Sequence, residues 1–265
     1  MSPSTPKPRL AKKLKTSPVV PPKSTSCEEC PLRRLEPFRE LTAKELAFVN
    51  DLKSGELTAQ PGMSILLEGQ SSPHLFTVLS GWAFRYKMLE DGRRQILNIA
   101  LPGDFLGLQT AMFKEMDHSV EALTPMVLCV FPRQKLWQLY QDHAGLAFDL
   151  TWLASREERL LDEALLSVGR RKAIERVAHV LVLLFDRARR LNLASTPREL
   201  ILPLTQQHLA DALGMSLVHT NKTIRKLTNS GLINWKDGVF KISNEEKLRD
   251  IAGYHARDDG KRPII

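Results

Sequence analysis

Residues 204–231 read LTQQHLADALGMSLVHTNKTIRKLTNSG and contain two short helical patterns joined by a glycine. Thr205 can cap a first helix that ends before Gly214, a residue suited to a tight left-handed turn. Ser216 can cap a second helix that extends to about Asn229. Two short helices joined by so brief a turn are typical of a helix-turn-helix.

The second helix has one apolar face and one polar face. The residues predicted to pack inward are Leu217, Thr220, Ile224 and Leu227. The opposite face carries hydrogen-bond donors and cations, which can contact base edges and phosphates when a helix enters the major groove. The predicted DNA-binding residues are Thr205, Gln206, Ser216, Val218, His219, Asn221, Lys222 and Arg225.

The residues around these helices support the same interpretation. Leu232–Trp235 and Val239–Ser243 flank Asp237-Gly238, a hairpin turn signal, so together they predict the wing of a winged helix. Residues 170–230 contain 11 Lys and Arg against four Asp and Glu, whereas residues 27–169 contain 14 against 20. A basic module beside an acidic body indicates polyanion binding. A helical hairpin with a solvated charged face is the alternative, and the agreement between these signals favours DNA.

The composition restricts the class of protein. The chain has 265 residues, of which 43% are hydrophobic and 26% charged, values typical of a globular protein with two domains. Its longest apolar runs, such as Val180–Phe185, are far shorter than a membrane span, and no secretory signal is visible. We therefore expect a cytoplasmic protein without a membrane partner. Residues 1–26 hold six Lys and Arg and no acid, which predicts a disordered basic arm.

Recurrent glycines divide residues 55–131 into short apolar runs, which is typical of a β-sandwich or β-roll. The glycines are Gly62, Gly69, Gly81, Gly92, Gly103 and Gly107. The predicted strands are Ser64–Leu67, Leu75–Leu79, Ala83–Met88, Gln95–Ala100 and Met126–Phe131. Asp91-Gly92 is the predicted turn of a hairpin between the third and fourth of them.

The pattern becomes helical after residue 132, with predicted helices over Arg133–Tyr140, Ala144–Val168 and Arg171–Arg190. Spacings of three and four residues in the long middle helix are those of a coiled-coil seam. The predicted dimer-interface residues are Leu146, Leu150, Leu153, Glu157, Leu160 and Ala164. Packing of this face against the chain's own sheet is an equally open alternative on periodicity alone.

This order of β-roll, long helix and winged helix resembles the Crp/Fnr family of bacterial transcription regulators. The motifs that carry the resemblance are Gln60-Pro61-Gly62, Leu79-Ser80-Gly81, the segment 101–107 (LPGDFLG) and the segment 204–210 (LTQQHLA). The resemblance implies an α+β chain with a cyclic-nucleotide-binding-like β-roll, a long dimerisation helix and a C-terminal winged helix-turn-helix. The implied divisions are 1–26 (arm), 27–143 (sensor roll), 144–169 (dimerisation helix), 170–252 (DNA-binding domain) and 253–265 (flexible tail).

The family further implies a homodimer that binds double-stranded DNA at a near-palindromic operator, with half-sites about 10 base pairs apart. RNA polymerase is a partner if the protein is an activator. In the family's best-known branches the recognition helix carries a Glu and an Arg. Val218 and Lys222 stand at those positions here, so we expect a different operator.

Two further motifs concern the signal. In members that bind cyclic nucleotides, a Glu holds the ribose and an Arg holds the phosphate. Leu108 and His118 occupy those positions, although Ser119 is retained, so control by cyclic AMP is not expected.

The cysteines indicate another signal, because Cys27 and Cys30 begin a segment that resembles the oxygen-sensing Fnr branch. There, three N-terminal cysteines and one in the roll hold a [4Fe–4S] cluster. Cys129 matches the roll cysteine, but the third N-terminal cysteine is missing. An iron-sulfur cluster or metal would need either a carboxylate, for which the candidates are Glu28, Glu29 and Glu36, or a histidine as its fourth ligand. A dithiol redox switch and the absence of any cysteine-based sensing stay open beside it.

The functional prediction is therefore a dimeric DNA-binding regulator that responds to oxygen or redox state. The alternative is a regulator of the same type controlled by its own level or by an unknown ligand in the roll. An enzyme with a cupin-like roll is not expected, because no paired histidines fall on a roll strand and no nucleophile motif or phosphate loop is present. An architectural DNA binder or membrane-surface binder driven by the basic arm is the third class.

Overall fold

The computed structural model describes residues 24–256 and 260–265, and it has the predicted α+β architecture. Residues 55–132 form the β-roll, in which two four-stranded antiparallel sheets have the orders β1-β8-β3-β6 and β2-β7-β4-β5. The strands are β1 (Gly55–Ala59), β2 (Ser64–Leu66), β3 (His74–Ser80), β4 (Ala83–Met88), β5 (Arg94–Ala100), β6 (Phe105–Leu106), β7 (Ser119–Ala122) and β8 (Met126–Pro132).

The five strands predicted from the glycine spacing are confirmed to within one residue at each end. The turn between β4 and β5 is confirmed as well, since Leu89 N donates to Arg93 O over 2.9 Å and Gly92 has a φ of 84°. A positive φ at that place favours glycine. Strands β1, β6 and β7 were not predicted, because their runs of five, two and four residues are short.

Eight α-helices occur in the described part of the chain. They are α1 (Ala43–Leu52), α2 (Leu108–Phe113), α3 (Leu136–Asp142), α4 (Ala144–Arg170), α5 (Ala173–Arg190), α6 (Gln206–Leu213), α7 (Leu217–Asn229) and α8 (Glu245–Ala252). Short 3₁₀ helices cover Pro31–Arg34 and Arg133–Lys135. Within residues 24–256 and 260–265, no helix combines the length and the apolar character needed to cross a membrane.

A third sheet belongs to the C-terminal domain, with the order β11-β12-β10-β9. Its strands are β9 (Ala194–Thr196), β10 (Glu199–Ile201), β11 (Ile233–Lys236) and β12 (Val239–Ile242). Asp237 and Gly238 join β11 to β12 with φ values of 52° and 79°, as a tight hairpin turn requires. The predicted wing is therefore confirmed, and the β9–β10 hairpin adds two strands to it.

Helix α4 corrects part of the predicted dimer interface. Leu146, Leu150 and Leu153 are buried to 0%, 0% and 5% exposure and pack with residues such as Phe131 and Leu139 of the same chain. Glu157, Leu160 and Ala164 continue this face and are half-buried. Leu146, Leu150 and Leu153 therefore pack within their own chain rather than at a dimer interface, because α4 lies along the roll. The exposed apolar residues of α4 are instead Phe148, Leu161, Leu165 and Leu166.

The predicted flexible tail over 253–265 is a second correction. Helix α8 ends at Ala252, but Arg262, Ile264 and Ile265 are buried, with exposures of 9%, 2% and 4%. The physical reason is that Arg262 pairs with the carboxylate of Asp104 while the two isoleucines fill an apolar gap beside the roll. The predicted basic arm lies, apart from residues 24–26, outside the described residues.

Candidate nucleic-acid interface and cysteine site

The two helices of the helix-turn-helix begin at the predicted caps. The Thr205 hydroxyl accepts a hydrogen bond from His208 N at 3.1 Å, and the Ser216 hydroxyl accepts one from His219 N at 3.2 Å. Gly214 ends α6 in the left-handed conformation, with a φ of 60°. These local interactions set the start of each helix and the sharp turn between them.

The two faces of α7 are largely as predicted. Thr220, Ile224 and Leu227 are buried with at most 5% exposure. Leu217, predicted to pack inward, is 40% exposed because it lies in the first turn, beyond the apolar cover. All the predicted DNA-binding residues are exposed except Asn221, which is half-buried.

Helix α5 supports the recognition helix from behind. Leu181, Phe185 and Leu209 belong to one apolar cluster with Ile224 and Leu227 of α7. The core reaches the wing through Phe185 and Phe240, whose rings meet edge to face with centroids 6.1 Å apart. The exposed face of α7 is therefore carried on a packed support.

The roll contacts the helix-turn-helix directly. Arg94 on β5 pairs with the Asp211 carboxylate of α6 at 2.8 Å, and its guanidinium lies 4.8 Å from the centre of the Phe84 ring. The Gln95 side chain donates to Ala212 O at 3.1 Å. These contacts set the orientation of α6, and so of α7, relative to the roll.

His118, which the sequence analysis aligned with the phosphate-binding arginine of members that bind cyclic nucleotides, is buried. His118 is 4% exposed and accepts a hydrogen bond from Arg85 Nε at 3.0 Å. Arg85 also pairs with Glu157 on α4. Burial, helped by the neighbouring Arg85 charge, lowers the pKa of His118 to about 3, so the imidazole is neutral at pH 7. A neutral ring offers no charge to a cyclic phosphate.

The three cysteines converge on one buried site. Cys27, Cys30 and Cys129 are 7%, 9% and 8% exposed and line the same cavity of about 20 Å³. Cys129 stands on β8, where Glu56 of β1 and Thr77 of β3 are its partners in register. On the other side, Cys27 N donates to the Asn50 side chain at 3.0 Å. We call this arrangement the cysteine site.

Burial keeps the thiols of Cys27 and Cys129 protonated. Loss of solvent raises the pKa of Cys27, and it raises the pKa of Cys129 to about 11. The nearby Arg33 and Lys53 charges oppose the effect, because cations favour a thiolate. At neutral pH both groups are therefore weak nucleophiles while the site stays closed.

The cysteine site does not fit a [4Fe–4S] cluster. Its cavity holds about one water molecule, and the candidate fourth ligands Glu28, Glu29 and Glu36 are exposed. The nearer carboxylate, Glu56, pairs with Lys53 at 2.7 Å. Among the described residues, no three His, Cys, Asp or Glu side chains group closely enough to hold a metal ion.

Asp104 is a further functional candidate. The sequence indicated only that it belongs to the 101–107 motif and gave it no role. Its buried carboxylate accepts hydrogen bonds from Arg187 at 2.7 Å, Arg262 at 2.9 Å and Arg156 at 3.1 Å, and from the backbone of Leu101 at 2.8 Å. Despite burial, the three guanidinium groups hold the pKa of Asp104 well below its usual range. The carboxylate thus joins the roll to α4, α5 and the C-terminal segment.

Comparison with known proteins agrees with this architecture. Residues 56–143 match the cyclic nucleotide-binding domain family, and residues 175–251 match the Crp-like helix-turn-helix domain family. The chain is 30% identical over 234 residues to the nitrogen fixation regulation protein FixK of Bradyrhizobium diazoefficiens, covering 88% of this chain and 97% of FixK. It is 28% identical to the transcriptional activator FnrL of Cereibacter sphaeroides, covering 78% and 83%.

Among solved structures, FixK2 of Bradyrhizobium japonicum superimposes with a TM-score of 0.68 at 25% identity, covering 76% of this chain and 98% of FixK2. The fold, the helix-turn-helix and these relatives define a transcription regulator rather than an enzyme. The chain belongs to the Crp/Fnr family of transcription regulators.

Proposed function

We propose that the protein is a sequence-specific DNA-binding regulator that acts as a homodimer, with α7 in the major groove of each half-site. The observation that carries the proposal is the exposed face of α7, where Lys222 and Arg225 stand one turn apart beside the 79% exposed Val218. Cations and donors on a rigidly supported helix are suited to base edges and phosphates. Since FnrL is named an activator, RNA polymerase is included among the proposed partners.

A second copy of the chain is the proposed occupant of the exposed face of α4. Phe148 and Leu165 are 70% and 73% exposed, and Leu161 and Leu166 lie between or beside them on the same 27-residue helix. Leu161 and Leu165 are four residues apart and share a face of the helix, and two such helices packed together along it would cover both side chains. A two-fold dimer would then present two recognition helices to a near-palindromic operator with half-sites about 10 base pairs apart.

Selection from a pool of random-sequence duplexes tests the DNA-binding proposal. The purified full chain is expected to enrich a near-palindromic sequence, because two identical helices contact the two half-sites. The operator is expected to differ from the family's familiar ones, because Val218 cannot accept a hydrogen bond from a cytosine amino group. Recovery of unrelated sequences with no shared motif would contradict sequence-specific binding.

For the signal, we propose that the cysteine site responds to redox state through its thiols rather than through a cluster. The support is that cysteines 99 or more positions apart in the sequence, Cys27 and Cys30 against Cys129, come together beside Lys53 and Arg33. In the proposed step two thiols each lose a proton and an electron to a peroxide and form one S–S bond, while the peroxide is reduced to two waters. Cations beside the site favour the thiolate once it opens.

A variant in which all three cysteines are replaced by serine tests this part. Hydrogen peroxide is expected to change the affinity of the wild-type protein for the selected duplex, and to leave the affinity of the triple variant unchanged. The affinity is measured by fluorescence anisotropy before and after treatment. An equal response of the two proteins, or no response in either, would support a regulator without cysteine-based sensing.

A further inference from the structure

The C-terminal segment 262–265 lies against the roll and the segment that precedes the roll in the chain. It follows α8, and Arg262 makes backbone hydrogen bonds in both directions with the N-terminal segment. Arg262 N donates to Pro37 O at 2.7 Å, and Arg39 N donates to Arg262 O at 2.8 Å. Residues 262–265, which we call the C-terminal strap, are buried.

One end of the C-terminal strap is held at Asp104. The Arg262 guanidinium donates to Gly103 O at 2.7 Å and to Asp104 at 2.9 Å, and it lies 4.9 Å from the centre of the Phe38 ring. Gly103 has no room for a side chain, because a Cβ there would come within 2.5 Å of Phe38. The same carboxylate binds Arg156 of α4 and Arg187 of α5, so the strap meets the helices that carry the DNA-binding domain.

The other end of the C-terminal strap forms part of the wall of the cysteine site. Ile264 and Ile265 line the same small cavity as the three cysteines. The Thr77 hydroxyl, next to Cys129 across the β3–β8 ladder, donates to the backbone oxygen of Ile265. Ile264 shares an apolar cluster with Cys30, and Ile265 shares one with Cys27 and Cys129, so the strap packs beside all three thiols.

The attachment at Asp104 is crowded with positive charge. Three guanidinium groups share one carboxylate, and burial together with the Arg156 and Arg187 charges lowers the pKa of Arg262 to about 10. Buried Nε atoms of Arg187 and Arg262 have no hydrogen-bond partner among the described residues. Arg156 and Arg187 belong to long helices, whereas Arg262 belongs to a short segment. Release of the strap from Asp104 would therefore rearrange less of the fold than release of either helix.

We propose that the C-terminal strap covers the cysteine site and links it through Asp104 to α4 and α5, so that access to the thiols and DNA binding are coupled. This inference rests on the proposed DNA-binding function and adds the part of the chain that connects signal to response. Coupling of this kind is reciprocal: if opening the strap changes the affinity for DNA, then bound DNA changes the opening of the strap.

The covering role is tested by the rate at which the cysteines react with the disulfide reagent DTNB, which releases one coloured thiolate for each cysteine modified. We expect Arg262→Ala and Ile265→Ser to react at least about tenfold faster than the wild type, because local opening limits access. Lys261→Ala is the matched control, since Lys261 is exposed beside the strap. Ile265→Ser perturbs only the end at the cysteines, and circular dichroism checks that each variant is folded. Equal rates in all four proteins would overturn the proposal.

The coupling is tested by repeating the reaction with a saturating concentration of the selected duplex. Bound DNA is expected to change the wild-type rate by about threefold or more and to leave the Arg262→Ala rate nearly unchanged. The same change in both proteins, or no change in the wild type, would overturn the coupling. If no protein binds any duplex, the proposed DNA-binding function and the coupling both fail, while the rates without DNA still decide whether the strap covers the thiols.

Discussion

His118 is aligned with a phosphate-binding arginine, but its neutral ring cannot supply the positive charge that a phosphate needs. The side chain stands where the family's phosphate-binding arginine would be, but it is 4% exposed and accepts its hydrogen bond from Arg85. The acceptor role requires a neutral ring nitrogen. Burial therefore keeps the ring in the neutral form that accepts from Arg85, which also pairs with Glu157.

This arrangement predicts a dependence of stability on pH. Since the pKa of His118 is about 3 in the folded chain and about 6.5 when unfolded, the unfolded state binds a proton that the folded state excludes. The contribution is fully present above pH 6.5 and is lost as the pH falls towards 3. Between pH 6 and 5 the free energy of unfolding should fall by up to about 1.4 kcal/mol per unit from this group.

Urea unfolding at pH 7, 6 and 5 measures the effect. His118→Gln keeps an acceptor for Arg85 but cannot titrate, so its stability should fall less steeply than that of the wild type. The exposed His255→Gln is the control and should follow the wild type. Parallel curves for wild type and His118→Gln would contradict the assignment of a neutral buried imidazole.

The residues whose roles were predictable are those with local partners. The caps Thr205 and Ser216 follow from hydrogen bonds that span three residues, and the left-handed turn at Gly214 follows from the backbone freedom of glycine. The three arginine partners of Asp104 lie 52, 83 and 158 residues away in the chain. No pattern within one element contains that information.

At the scale of elements, α4 shows the limit of periodicity. Spacings of three and four residues correctly identify one apolar face, but they do not say what covers it. The face with Leu150 packs into the chain's own core, and a second set of apolar residues, including Leu165, stays exposed. In contrast, α6 and α7 were predicted with the bounds they have, because caps and glycines mark their ends.

Substitutions on the two faces of α4 are expected to affect different properties, dimerisation on one face and stability of the fold on the other. Leu165→Lys should weaken dimerisation and leave the fold intact, because the side chain is 73% exposed and a charge would be buried at the proposed interface. Leu150→Ala should lower the free energy of unfolding by about 2–5 kcal/mol, because it leaves a cavity in the core. Sedimentation velocity measures the first effect and urea unfolding the second. An unchanged dimer in Leu165→Lys would rule out this face of α4.

At the scale of the whole molecule, contacts at several places connect the roll to the C-terminal domain. Arg94 pairs with Asp211, Asp104 binds Arg187, and the C-terminal strap returns to the roll. Under the proposed coupling, these packed and ion-paired elements would transmit opening at the cysteine site to α7. The order of domains was predictable from the sequence. These connections were not, because they join side chains that become neighbours only in the folded chain.

The affinity of the full chain for its selected duplex tests the central claim most directly. Lys222→Ala and Arg225→Ala are compared with Lys44→Ala, which removes the same kind of charge from an exposed position on α1. If α7 reads the operator, each of the first two variants should weaken binding by about 1–3 kcal/mol, while Lys44→Ala binds like the wild type. Wild-type affinity in both Lys222→Ala and Arg225→Ala would contradict the account.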